Sequence, residues 1–229
     1  MALILAIESS TDMCSVSLFQ DQSLLACIEL QQSNVHAKKL SLLIEQLTRN
    51  SGVDLAEINA IAVNGGPGSY TGLRIGVSIA KGLAYALNIP MIAVDALETL
   101  AFQAFPFLKE SDSIIPLMDA RRMEVYMAVF GYGGKRMEST RPLILDHNPF
   151  LSYLENGNVY FVGDGVEKAK EILAHPNARF LNIRCTSRAV AGVAIDKYER
   201  GIFENIAYYE PNYLKEFRIT QSQKNPLTI

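Results

Sequence analysis

The sequence predicts an α/β protein of two similar lobes, each a central mixed sheet built in the order strand, strand, strand, helix, strand, helix, strand, helix. Three observations predict it. The element signals run through that order twice within 229 residues. The openings of the two copies align, Leu5-Ala6-Ile7-Glu8-Ser9-Ser10 with Pro116-Leu117-Met118-Asp119-Ala120-Arg121, each carrying an acid at the tip of its first hairpin. A 49% hydrophobic content is enough for two modest cores rather than one. The expected division is residues 1–110 for the first lobe, 111–218 for the second and 219–229 for a polar tail.

In the first copy, strands are expected near Leu3–Ile7, Ser15–Phe19 and Leu24–Leu30, rich in Ile, Leu and Val and punctuated by turn-forming Ser, Thr, Asp and Gln. A helix follows, because Leu40, Leu43, Ile44 and Leu47 recur at three- and four-residue spacing. Then come a strand at Ala60–Asn64, a helix from about Ser69 to Leu87, a strand at Met91–Val94, and a helix that Pro106 stops near Phe105. The second copy places strands at Ile114–Met118, Glu124–Phe130 and Leu143–Leu145, a helix at Pro149–Glu155 and a strand at Val159–Val162. It finishes with a helix at Val166–Ala174, a strand at Phe180–Ile183 and a helix at Ser187–Arg200, ended by Gly201.

The segment Gly65-Gly66-Pro67-Gly68-Ser69-Tyr70-Thr71-Gly72 opens the second helix of the first copy. Glycine loops at helix starts commonly cradle phosphate through free N–H groups and the positive end of the helix dipole. No Gly-Lys-Ser/Thr follows at the required distance, so the spacing excludes a Walker-type loop. Gly66, Gly68 and Gly72 miss the dinucleotide fingerprint by one position, and three opening strands without a crossover helix count against that reading, although Asp95 sits where a ribose-binding acid would lie. A structural role is the stronger expectation: Gly72, Gly76, Ala80 and Ala84 form a small-residue stripe suited to close approach of a helix or sheet. Arg74, Ser78, Lys81 and Tyr85 make a polar and aromatic face beside it. His36, Leu40, Leu43 and Leu47 form an apolar stripe on the preceding helix, and together the two helices are expected to offer a contact face to another polypeptide.

Composition excludes several classes. No apolar run approaches the roughly 18 residues of a membrane span, and the N-terminus lacks a signal-peptide pattern, so a cytoplasmic protein is expected. Cys14, Cys27 and Cys185 show no metal spacing and are expected to be free thiols. A net charge of −3 argues against a protein whose main work is gripping nucleic-acid backbone. Any link to nucleic acid should be indirect.

The duplicated order resembles the actin and sugar-kinase superfamily, with its ribonuclease H-like lobes. The run from Asn64 through Gly65-Gly66-Pro67-Gly68-Ser69-Tyr70-Thr71-Gly72 to Gly76 resembles the signature segment of the TsaB, or YeaZ, family. Ala6-Ile7-Glu8-Ser9-Ser10, His36-Ala37, Asp119-Ala120-Arg121-Arg122-Met123-Glu124-Val125-Tyr126, Gly163-Asp164-Gly165 and Pro211-Asn212-Tyr213-Leu214-Lys215 extend the likeness over nearly the whole chain. The resemblance implies a non-catalytic subunit that pairs with TsaD, which transfers threonylcarbamoyl to the adenosine next to the tRNA anticodon, with the ATPase TsaE joining them. It also implies that the first two helices of the first lobe form the TsaD contact, and that the same face can form a homodimer. His36, Leu40, Leu43, Leu47, Arg74, Ser78, Lys81 and Tyr85 are the residues expected there.

TsaD-like catalysts hold a metal with two histidines four positions apart on a helix. Here the position four after His36 is Leu40, and neither His147 nor His175 has a histidine at that spacing, so no metal or other cofactor is expected. Kinases of the superfamily surround ATP phosphates with hairpin loops from both lobes. Glu8, Ser9, Ser10, Asp119, Arg121 and Asp164 are the corresponding candidates, expected to form a degenerate nucleotide cleft, because the first loop lacks a glycine and Arg121-Arg122 replaces small residues in the second. The alternatives are a nucleotide-dependent kinase or hydrolase of the superfamily and, more remotely, a glycoprotease-like metallopeptidase, which the missing histidine pair disfavours.

Overall fold

The structure is a computed structural model and describes residues 2–214. The expected tail at 219–229 lies outside the described residues.

The first lobe is a five-stranded sheet of β1 (Leu3–Glu8), β2 (Met13–Gln20), β3 (Ser23–Gln31), β4 (Ala60–Asn64) and β5 (Met91–Val94), in the order β3-β2-β1-β4-β5. β1 and β2, and β2 and β3, pair antiparallel as hairpins, while β4 and β5 join in parallel after helical crossovers. The second sheet repeats this with β6 (Ser113–Asp119), β7 (Glu124–Phe130), β8 (Arg136–Ile144), β9 (Val159–Val162) and β10 (Ala178–Leu181), in the order β10-β9-β6-β7-β8. The expected duplicated actin-like arrangement of two mixed sheets is present.

Among the described residues six α-helices cover the sheets: α1 (His36–Ser51), α2 (Tyr70–Leu87), α3 (Ala96–Phe102), α4 (Leu151–Asn156), α5 (Val166–Ala169) and α6 (Ser187–Glu199). Strand alternation decides which side each helix meets. Leu5, Ile7, Val16 and Val63 face α1 and α2, while Ile4, Ala6, Ala60, Ala62, Ile92 and Val94 face Val190, Ala191, Val193 and Ala194 of α6. Burial on both faces turns β1 and β4 into continuous apolar runs. In the second lobe, Ile115, Leu117, Val125 and Met127 pack on α4 and α5, and Ile114, Ala128 and Phe130 pack on Ala96, Leu97, Leu100 and Ala101 of α3. The lobes therefore exchange their last helices: α3 covers the second sheet and α6 the first. The two sheets occupy residues 3–94 and 113–181, and each is covered in part by a helix from the other's half of the sequence.

Several elements differ from expectation, among them α3, which ends at Phe102 rather than near Phe105, with Pro106 inside a separate 3-10 turn at Phe105–Phe107. β8 begins at Arg136 rather than Leu143, because it is a half-exposed edge strand whose Arg136, Glu138, Arg141 and Pro142 hide its strand pattern. The last strand, β10, lies two residues earlier than expected, at Ala178–Leu181. The helix at Val166 lasts one turn instead of reaching Ala174.

The apolar stripe of α1 requires a correction. His36, Leu40, Leu43 and Leu47 are buried, the three leucines in the first-lobe core and His36 with its Nε2 3.2 Å from the Met13 carbonyl oxygen. They do not form a free partner face. Three- and four-residue spacing reports that a helix face is covered, and the chain's own sheet covers this one.

Candidate functional site

The Gly-rich loop between β4 and α2 is filled by protein. Ser69 N donates to the Ser10 carbonyl at 2.7 Å, and Ser9 Oγ donates to the Gly72 carbonyl at 2.9 Å. A Cβ at Gly68 would lie 2.4 Å from Ser10 O, and one at Gly72 would lie 2.1 Å from Ser9 O, distances no side chain tolerates. Gly76 meets Ser9 Oγ in the same way. The small-residue stripe thus exists to let α2 and its leading loop lie against the β1–β2 hairpin. Ser69 caps α2 by accepting from Gly72 N at 3.3 Å, Pro67 is buried, and Thr71 points outward.

Glu8 is sealed beneath this contact. Its Oε1 accepts from Ser10 N and from Ser10 Oγ, both at 2.6 Å, and its Oε2 accepts from Asn64 Nδ2 at 2.6 Å. Asn64 Oδ1 in turn accepts from Gly66 N at 3.0 Å, so the carboxyl fixes both the hairpin and the start of the loop. Burial pushes the Glu8 pKa up, against the hydrogen bonds from Ser10 and Asn64. A strap from Glu204 to Leu214 closes the other side: Asn212 N donates to Gly65 O at 2.8 Å, and the Tyr213 ring lies 4.7 Å from that of Tyr70.

The β6–β7 hairpin gathers the second-lobe candidates. Asp119 Oδ1 accepts from Arg121 N at 2.6 Å and from Lys168 Nζ at 2.7 Å, and Asp164 Oδ1 accepts from Asp119 N at 2.9 Å. Desolvation raises the Asp164 pKa and the neighbouring Asp119 carboxylate adds to it, although Asp164 remains open to the cleft. Between the first hairpin and segments 163–170 and 180–185 of the second lobe lies a cavity of about 420 Å³, lined from the first lobe by Thr11, Asp12 and Met13 and from the second by Asp164, Glu167, Lys170 and Arg184. Of the six residues expected in a nucleotide cleft, Asp164 alone lines it. Glu8, Ser9 and Ser10 are spent on the loop, Asp119 on its own turn, and Arg121 gives that turn only its backbone N–H. Asp12 and Arg184 were missed, since isolated charged residues beside a turn carry no periodic signal.

Asp95, the ribose-acid candidate, caps α3 by accepting from Leu97 N at 2.8 Å and Glu98 N at 3.1 Å. Cys14 and Cys27 are free thiols pushed up to about 11 by burial, and Cys185 is likewise raised, so none is a ready thiolate at neutral pH. Among the described residues no three His, Cys, Asp or Glu side chains converge as a metal-holding set. On α2, Arg74, Ser78 and Tyr85 face outward, Tyr85 at 80% exposure, while Lys81 is held by donating to the Tyr209 carbonyl at 3.0 Å.

A Haemophilus influenzae protein named tRNA threonylcarbamoyladenosine biosynthesis protein TsaB is 32% identical over 171 residues, 71% of this chain and 72% of that protein. The chain belongs to the TsaB family. The Escherichia coli TsaB is 39% identical over 127 residues, 56% of this chain and 54% of that protein. A solved structure of YeaZ from Pseudomonas aeruginosa, 26% identical, superposes with a TM-score of 0.80 over 93% of this TsaB-family chain and all of that one. The family model described as TsaD, tRNA N6-adenosine threonylcarbamoyltransferase, matches residues 24–220, which places TsaB chains among relatives of the transferase itself. No helix among the described residues is long and apolar enough to cross a membrane.

Proposed function

We propose that this chain is the non-catalytic subunit of tRNA N6-threonylcarbamoyladenosine synthesis, pairing with a TsaD-type transferase, with a TsaE-type ATPase joining the assembly, in the cytoplasm. The reading rests on membership of the TsaB family, whose members are named for this biosynthesis. One observation carries the non-catalytic part: the first hairpin, which in kinases of this fold would face phosphate, is covered by the chain's own Gly-rich loop, with Glu8, Ser9 and Ser10 consumed in internal hydrogen bonds. Loss of phosphate access disfavours the kinase and hydrolase alternative.

The partner face is the outward side of α2, with Arg74, Ser78 and Tyr85, together with the exposed side of α1, where Leu42 is 46% exposed. A homodimer through the same face competes with the transferase for it. The test is reconstitution with TsaD, TsaE, the threonylcarbamoyl-adenylate donor and tRNA. Modified adenosine should form only when this chain and TsaD are both present. Modification by this chain alone, or full activity of TsaD without it, would reject the assignment.

A further inference from the structure

The β6–β7 hairpin turns through Arg121 and Arg122, both in the left-handed region at φ 67° and 52°. A Cβ is disfavoured in the left-handed region, which Gly and Asn tolerate best. Local energetics therefore oppose arginine at both positions, and backbone strain of this kind concentrates at binding sites. The turn is braced from below. Lys168 Nζ donates to Asp119 Oδ1 at 2.7 Å, to Arg122 O at 2.9 Å and to the Glu124 carbonyl, while Asp119 Oδ1 also holds Arg121 N. Where these bonds reach an arginine they use its backbone, Arg121 N and Arg122 O, and none uses a guanidinium.

Both arginine side chains are exposed, and neither makes an ion pair or hydrogen bond among the described residues. Arg49, Arg136, Arg141, Arg188 and Arg200, by contrast, each reach a carboxylate. Asp119, the acid of the turn, is already paired with Lys168, and the two exposed guanidiniums stand beside exposed Met123.

We infer that this tip contacts the phosphodiester backbone of tRNA through the paired guanidiniums of Arg121 and Arg122, an inference that rests on the function proposed above. A guanidinium presents a planar donor fork that matches phosphate oxygens, and a pre-set turn holds two forks without ordering a loop on binding. The net charge of −3 argues against capture of tRNA by this chain alone, so the contact orients tRNA on the assembled complex.

The test is the double variant Arg121→Asn, Arg122→Gly, which puts residues that tolerate the left-handed region at both positions and removes both charges. In complex with TsaD, tRNA affinity is measured across a salt series, alongside thermal unfolding of the free chain and association with TsaD without tRNA. Unfolding temperature should hold or rise and TsaD association should be unchanged. Affinity for tRNA should fall roughly tenfold, with the slope of log K against log salt shallower by about 1 to 2, near 0.9 per lost phosphate contact. Unchanged affinity and slope would overturn the inference, and so would weakened TsaD association without tRNA, which would assign the tip to carboxylates of a protein. A wild-type chain that fails to bind TsaD at all would instead reject the functional assignment, and this inference with it.

Discussion

At the residue scale, the glycines of the signature loop and α2 do different work at different depths. Gly72→Ala drives a Cβ to within 2.1 Å of a backbone oxygen that cannot step aside, so denaturant unfolding should show a loss of about 2 kcal/mol or more. Gly82, on the same helix with nothing within 4 Å, should gain about 0.5–1 kcal/mol as alanine. Equal effects at the two positions would contradict the packing of the loop on the hairpin. Glu8 is the other informative residue. In Glu8→Gln, an amide NH2 replaces one of the two carboxylate oxygens, so a buried donor loses its acceptor, at a cost of about 1–3 kcal/mol. Because burial raises the Glu8 pKa in the folded state, the native protein holds that proton where the unfolded chain releases it. The group's contribution is full below the unfolded pKa and is lost as pH rises through the elevated folded pKa. Stability should thus fall with rising pH in that window, and the Glu8→Gln profile should be flatter there in a pH series of unfolding curves. An acid could be seen at Glu8 in the sequence, but not that it points into protein, since direction depends on Asn64, 56 residues away.

At the element scale, α1 separates what periodicity reports from what it leaves open. The stripe of Leu40, Leu43 and Leu47 was legible because a helix beside a sheet must repeat apolar residues every three or four positions. Whether that face meets the chain's own β2 or a second protein is a property of the surroundings. The structure assigns it to the core, and leaves Leu42 outside. Leu43→Asp should therefore abolish cooperative unfolding or cost about 4 kcal/mol or more, because it buries an unpaired charge. Leu42→Asp should leave the melting temperature within a degree or two while weakening TsaD association at least tenfold, about 1.4 kcal/mol. Circular dichroism melts and titration calorimetry read the two effects separately, and unimpaired association of the Leu42 variant would move the interface elsewhere. The edge strand β8 shows the opposite limit: its charges, useful against edge-to-edge pairing, erased the alternation by which strands are read.

At the scale of the whole molecule, the exchange of α3 and α6 binds the two copies into one folding unit. Residues 1–110 alone lack α6 and would expose Ile4, Ala6, Ala60, Ala62, Ile92 and Val94 on one sheet face. This fragment should aggregate or unfold without a cooperative transition, and co-expression with residues 111–229 should restore a soluble complex. A stable, monomeric first half would refute the exchange as a determinant of stability. The sequence by itself determined the strand and helix order, its duplication, the family and the closeness of the Gly-rich loop to something solid, because each is written in local periodicity, turn chemistry or a contiguous motif. Tertiary structure alone decided that the solid neighbour is the first hairpin, that Glu8 is sealed while Asp12 and Arg184 line the cleft, and that the leucine face of α1 turns inward. Those outcomes depend on which distant segments come to occupy the same space, and no local pattern encodes the identity of a neighbour.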